Sequence, residues 1–197
     1  GYLVSRYTAD GQPLWAIEVA TNDAFESYHD FLAVDQLGNA YVVGDTSSGL
    51  PALRLTRDGV LDPTWAPDDS GITRSVAVAA RGSYVDVGGE VAPPTGAHFF
   101  RLARYDLMGR LAFSYDLHDV DVNALVEGAD GSLYSIATYL GSSASLVTRL
   151  SGSGAWLGQR IADRLIAGAW GDRLYVAGGY YSPSEGYQGA ILPLSIE

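Results

Sequence analysis

Asp35-Gln36-Leu37-Gly38-Asn39-Ala40-Tyr41-Val42-Val43-Gly44 reads as a tight turn followed by a β-strand that stops at a glycine. Gly38-Asn39 supplies the turn, and Ala40 to Val43 supply strand-favouring side chains. Working outward, Phe31-Leu32-Ala33-Val34 is a short apolar strand on one side. On the other side, Leu53 to Thr56 and Leu61 to Trp65 flank Asp58-Gly59, a strong hairpin signal. Four strands follow one another within about fifty residues. No window shows a helical period, and glycine interrupts most of them.

The pattern returns along the chain. The hairpin glycines Gly11, Gly59, Gly109 and Gly154 stand 48, 50 and 45 residues apart. The strand ends Gly44, Gly88, Ala137 and Gly178 stand 44, 49 and 41 apart. Tyr41, Val85, Tyr134 and Tyr175 each precede such an end by three residues. Two landmarks recurring together at four strands per period indicate the blades of an all-β propeller. The units run about 2–49, 50–97, 98–144 and 145–190, with the start of a fifth at 191–197, in a single domain.

The stretch from Asp35 to Ser48 resembles the bacterial propeller repeats called SBBP repeats. Leu53 to Trp65 is similar to the related delta-60 repeat. The resemblance implies a propeller on secreted or surface-exposed bacterial proteins, and it implies no activity. In such propellers the Phe31 strand lines the central channel, and the strands at Tyr41, Leu53 and Trp65 follow outward. On that phase the chain has a third and fourth strand, then three whole blades, then a first, second and third strand. Seventeen strands are no whole number of blades. An arc of a larger ring is therefore favoured over ends that meet, with self-association through open strand edges as a further expectation.

Composition narrows the functional classes. Apolar residues make up 47% of 197, enough for a packed core. The formal charge is −11, and all twelve cations are arginines. That balance argues against a nucleic-acid partner, which needs a basic footprint. It argues equally against anionic membrane surfaces. No run of apolar residues is long enough to insert in a membrane. Cysteine is absent, which excludes disulfides and thiolate metal sites.

Propeller topology sends two classes of loop to one rim: the fourth-to-first and the second-to-third connections. The opposite rim holds short turns. Longer loops on a rigid scaffold are where function sits, so the candidate contacts are taken from them. They are Tyr28, His29, Asp68, Asp69, His118, Asp119 and Asp121 from the first class, and Tyr139, Tyr180, Tyr181 and Tyr187 from the second. Tyrosine offers broad amphipathic contact with a hydrogen-bonding tip, suited to protein or glycan. Clustered aspartates suit Ca²⁺, yet no Asp-x-Asp-x-Asp-Gly loop occurs, and solvated loop aspartate is the simpler account. His29, His98 and His118 are spread along the chain, so a zinc site would need them to converge. No cofactor is expected.

Ser151-Gly152-Ser153-Gly154 has the outline of a nucleophile elbow but sits in a hairpin turn. Trp15, Trp65 and Trp156 recur on outermost strands, as packing between blades. These features favour a non-enzymatic binding or scaffold module over its competitors. Those are a hydrolase or lyase of glycans at the propeller mouth and a structural subunit of an extracellular assembly.

Overall fold

A computed structural model describes residues 2–19, 32–44, 51–142, 144–163, 165–170, 174–182 and 186–194, with side chains for 3–19, 32–44, 51–142 and 144–161. The described residues form five antiparallel sheets and no helix. Sheet one pairs β1 (Tyr2–Tyr7) with β2 (Pro13–Val19). Sheet two runs β3 (Leu32–Val34), β4 (Ala40–Val42) and β5 (Leu53–Leu55). Sheet three is β6 (Arg74–Arg81), β7 (Tyr84–Val91), β8 (Phe99–Asp106) and β9 (Leu111–Leu117). Sheet four is β10 (Val120–Glu127), β11 (Leu133–Tyr139), β12 (Ala144–Leu150) and β13 (Trp156–Asp163). Sheet five is β14 (Leu165–Trp170), β15 (Leu174–Ser182) and β16 (Gly186–Leu194).

Each sheet is an up-and-down meander whose strand order is its chain order. The first strands β3, β6, β10 and β14 lie beside one another in turn, so the sheets succeed each other around a common inner side. The phase expected from the repeats holds, with one correction. The outer strand expected at Leu61 to Trp65 is reduced to a single bridge, Leu55 to Leu61. Pro63 has no N–H to give a ladder, and the Asp62 carboxylate bonds Thr64 N and Oγ1, turning the chain away. Trp65 is buried nonetheless, edge-on to Tyr41 at 5.2 Å between ring centroids.

The core lies between sheets. Tyr41, Val43 and Trp65 of sheet two pack on Val78, Val85, Val87 and Tyr105 of sheet three. Leu102 and Val76 of sheet three pack on Val122, Leu125, Leu133 and Leu146 of sheet four. Burial of that apolar area, at roughly 25 cal/mol per Å², is what holds successive sheets together.

A second joint recurs at the short-turn rim. The turn between third and fourth strands closes with a glycine N–H donating three residues back, as in Gly59 N to Thr56 O at 2.9 Å and Gly154 N to Ser151 O at 2.9 Å. Gly59 and Gly154 have φ of 79° and 86°, where a side chain is strained. They are also overlaid by a neighbour: a Cβ on Gly59 would stand 2.5 Å from the Trp15 ring, and one on Gly154 2.5 Å from Phe113. Five residues before each of the four hairpin glycines stands an arginine: Arg6, Arg54, Arg104 and Arg149. Three of them reach the next sheet's turn, at the carbonyl two residues before its glycine. Arg6 Nη1 donates to Arg57 O at 2.7 Å, Arg54 Nη1 to Leu107 O at 2.9 Å, and Arg104 Nη1 to Gly152 O at 3.3 Å. Arg149 is held within its own sheet by Asp130 at 2.9 Å.

Candidate functional site

The sheets present two ends. At the end where first strands begin, β9 runs into β10 through His118 and Asp119 alone. Asp116 lies in β9, and Asp121, taken from sequence as a loop residue, is a strand residue opposite Thr138. Asp119 takes a φ of 58°, which lets its carbonyl accept Leu140 N at 2.9 Å. Tyr139 closes β11 opposite Val120, and its hydroxyl accepts from Gln159 Nε2 at 3.4 Å. His118 is exposed and tilted against Phe99, at 5.4 Å between centroids. His118, Asp119, Asp121 and Tyr139 thus share one end of sheet four, with exposed Leu140 beside them.

The other candidates do not join them. Asp68 is tied to the opposite rim: its N–H donates to Gly109 O at 2.7 Å and its carboxylate accepts Leu111 N at 2.8 Å. The curtailed outer strand of sheet two is the cause, since the chain stays beside the neighbouring turn before it climbs. Asp69 accepts Gly71 N at 2.7 Å and closes a turn. Tyr180, Tyr181 and Tyr187, expected in a loop, lie within β15 and β16, with Tyr181 opposite Tyr187. Their strands extend further than the repeat suggested, and their side chains lie outside the described residues. Tyr28 and His29 lie outside them altogether. His98 pairs with Glu90, whereas His118 packs against Phe99. Among the described residues no group of three His, Cys, Asp or Glu is placed to hold a metal.

At the turn end, the ends of β3, β6 and β10 converge on a cavity of about 550 Å³. Asp35, Gln36, Arg81 and Glu127 line it, with Val34 and Leu125. The Asp35 carboxylate is engaged in its own turn, accepting Leu37 N, Asn39 N, Asn39 Nδ2 and the Tyr41 hydroxyl at 2.9 to 3.1 Å. Glu127 differs. It is 7% exposed, and its Oε2 finds no hydrogen-bond partner among the described residues. Burial, and then the nearby Asp86 carboxylate, push it up to about 7. Arg104 and Arg81 oppose that rise.

Behind Glu127 lies a wholly buried pair. Arg104 donates to both Asp86 oxygens, at 2.7 and 2.8 Å, and neither side chain is exposed. Burial raises the Asp86 carboxyl against the pull of the guanidinium. Arg104 also lies over Tyr84 at 5.0 Å and Phe113 at 5.5 Å and donates to Gly131 O at 2.7 Å. The sequence signalled Arg104 through its fixed distance to Gly109. It held no signal for Glu127 or Asp86, which look like ordinary strand residues.

Residues 32–51 match the SBBP model, a beta-propeller repeat. The chain carries a propeller repeat. The matched segment covers β3, β4 and the approach to β5, so the repeat's first two strands are those of the second blade. The same order of strands in the third and fourth blades extends the pattern beyond the match. Among curated proteins none matches the chain.

Proposed function

We propose that this propeller module is a non-enzymatic binding or scaffold domain of a secreted or surface bacterial protein. It contacts protein or glycan through the rim that bears His118, Asp119, Asp121 and Tyr139. One observation carries this: these four come from two connections yet share one end of a blade held by apolar core and arginine joints on the side of blade three. Rigid support with exposed polar and aromatic tips suits recognition. The candidate acids Asp68 and Asp69 are engaged in turns, and Asp116 is paired with Arg101. A glycan array and a surface-protein pull-down test the proposal. Binding should fall at least tenfold in Tyr139→Ala combined with His118→Ala, with the far-ultraviolet dichroism unchanged. Binding that survives this double change, and also Tyr180→Ala with Tyr181→Ala, would move the contact elsewhere.

One observation favours the glycan-active alternative. A carboxyl titrating near neutrality at a cavity wall is what a general acid needs. Polysaccharide cleavage abolished by Glu127→Gln would establish it; no cleavage by the native chain across neutral and acidic polysaccharides removes it.

A further inference from the structure

The inner strands of blades two, three and four end side by side at the turn end, and their last residues surround a cavity of about 550 Å³. Its walls come from residues 33–36, 78–81 and 125–127, so no chain end forms any part of it. Short apolar side chains leave the room: Ala33, Ala79 and Ala80 line it with Val34, Val78 and Leu125. A space of this size takes a small organic molecule.

The charges around it do not balance. Three acids, Asp35, Asp86 and Glu127, face two cations, Arg81 and Arg104. Arg104 is committed to both oxygens of Asp86. Arg81 Nη1 donates to the Glu127 carbonyl at 3.4 Å. The Asp35 carboxylate already accepts from Leu37, Asn39 and Tyr41. On the far side, β14 packs on β10 and bears no ionisable residue, and Asp130, in the turn after β10, is bonded to Ser132 and Arg149. The Glu127 carboxyl is left over. It lies beside the β6–β7 turn, where a Cβ on Gly82 would stand 3.9 Å from its Oε1, and its buried Oε2 has no partner among the described residues. A buried carboxylate without a cation is costly. Burial, with Asp86 beside it, therefore keeps the Glu127 proton up to about 7. A cation seated against the carboxyl would take the place of that proton.

We propose that this cavity binds a small organic cation, an ammonium or guanidinium group on an apolar body, with Glu127 as its acceptor and the short side chains of β3 and β6 against its body. A metal ion fits less well. Most of the lining is apolar, and among the described residues no three His, Cys, Asp or Glu are placed to hold one. The site rests neither on the rim contact, which is at the other end of the sheets, nor on polysaccharide cleavage, which a binding equilibrium does not read.

The probe is phenethylamine, with phenethyl alcohol and 3-phenylpropionate as neutral and anionic controls on the same body. Calorimetry on the native chain should show saturable binding of the amine and not of the controls. The ammonium binds the ionised carboxyl, so at pH 6 complex formation should release a proton, seen as a heat that follows the ionisation enthalpy of the buffer. Affinity should rise about tenfold per pH unit below 7 and level off above it. His98 and His118 stand at the opposite end of the sheets. Glu127→Gln should weaken the amine at least tenfold and flatten this pH dependence. Val34→Trp, at an exposed position on the cavity wall, should block binding with Glu127 still in place. Equal binding of the alcohol overturns the proposal. So does preference for the carboxylate, which would make protonated Glu127 and Arg81 an anion site. An affinity unchanged from pH 5.5 to 8, native-like binding in either variant, or no binding at tens of millimolar amine overturns it as well.

Discussion

The arginine joints of blades two and three are made from the same parts, and burial separates them. Arg54 meets Asp62 at 2.5 Å with both side chains about 15% exposed, and lies 6.0 Å over Trp65. Arg104 meets Asp86 at 2.7 Å with both at zero. Asp62 is pulled down to about 2, first by its bonds from Thr64 and then by Arg54, since water still helps to solvate its charge. Asp86 is pushed up by burial despite two bonds from its arginine. One repeat position therefore serves as a modest surface clamp in one blade and as a buried anchor in the next. The second case also places Glu127, a further acid, within reach of Asp86.

The sharpest way to break this comparison is Arg104→Ala. It leaves Asp86 buried without its cation, so unfolding by urea at pH 7 should show a loss of about 3–5 kcal/mol. Replacing the pair together, Arg104→Met with Asp86→Leu, should recover most of that. A loss under about 1 kcal/mol in the single variant would mean the pair is not desolvated. Next is Glu127→Gln. The folded carboxyl sits near 7 against an ordinary 4.5, so the native state binds its proton more tightly than the unfolded chain does. Its contribution is complete below pH 4.5 and is lost as pH rises through 7, a change of about 3 kcal/mol. Asp62 titrates near 2 and lies below this window. Urea midpoints from pH 4.5 to 8 should fall for the native chain and stay flatter for Glu127→Gln; parallel curves would return Glu127 to an ordinary environment. The smallest effect belongs to Arg54→Ala. Its partner keeps the Thr64 bonds and reaches solvent, so the loss should be about 1 kcal/mol at pH 7. A loss equal to that of Arg104→Ala would erase the distinction between the two joints.

The strand order was legible because each blade is a local meander. Asp-Gly, Met-Gly and Ser-Gly turns fall at near-constant spacing, and strands of one blade are neighbours in the chain. Pro63 shows where local grammar yields: the repeat called for a strand, and one missing N–H with an Asp62 turn left a single bridge. That small change carried Asp68 to the wrong rim for the contact role its sequence position suggested. An arginine stands five residues before each hairpin glycine in the sequence. Its use was not legible there, because the acceptor lies about fifty residues away in the next blade.

The amino-acid order alone settles that this is an all-β repeat chain and the phase of its blades. Those follow from contacts between residues close in sequence, which period and turn chemistry record directly. Whether a given arginine is solvated or buried, whether Glu127 titrates near neutrality, and which connections meet at one rim are decided only when blades pack. Each depends on how much water is excluded between residues roughly fifty positions apart, and no spacing encodes that. Pro193 belongs to both. Its residue type carries no side-chain donor, and only the register against β15 shows that it stands at the position Arg149 holds in the fourth blade.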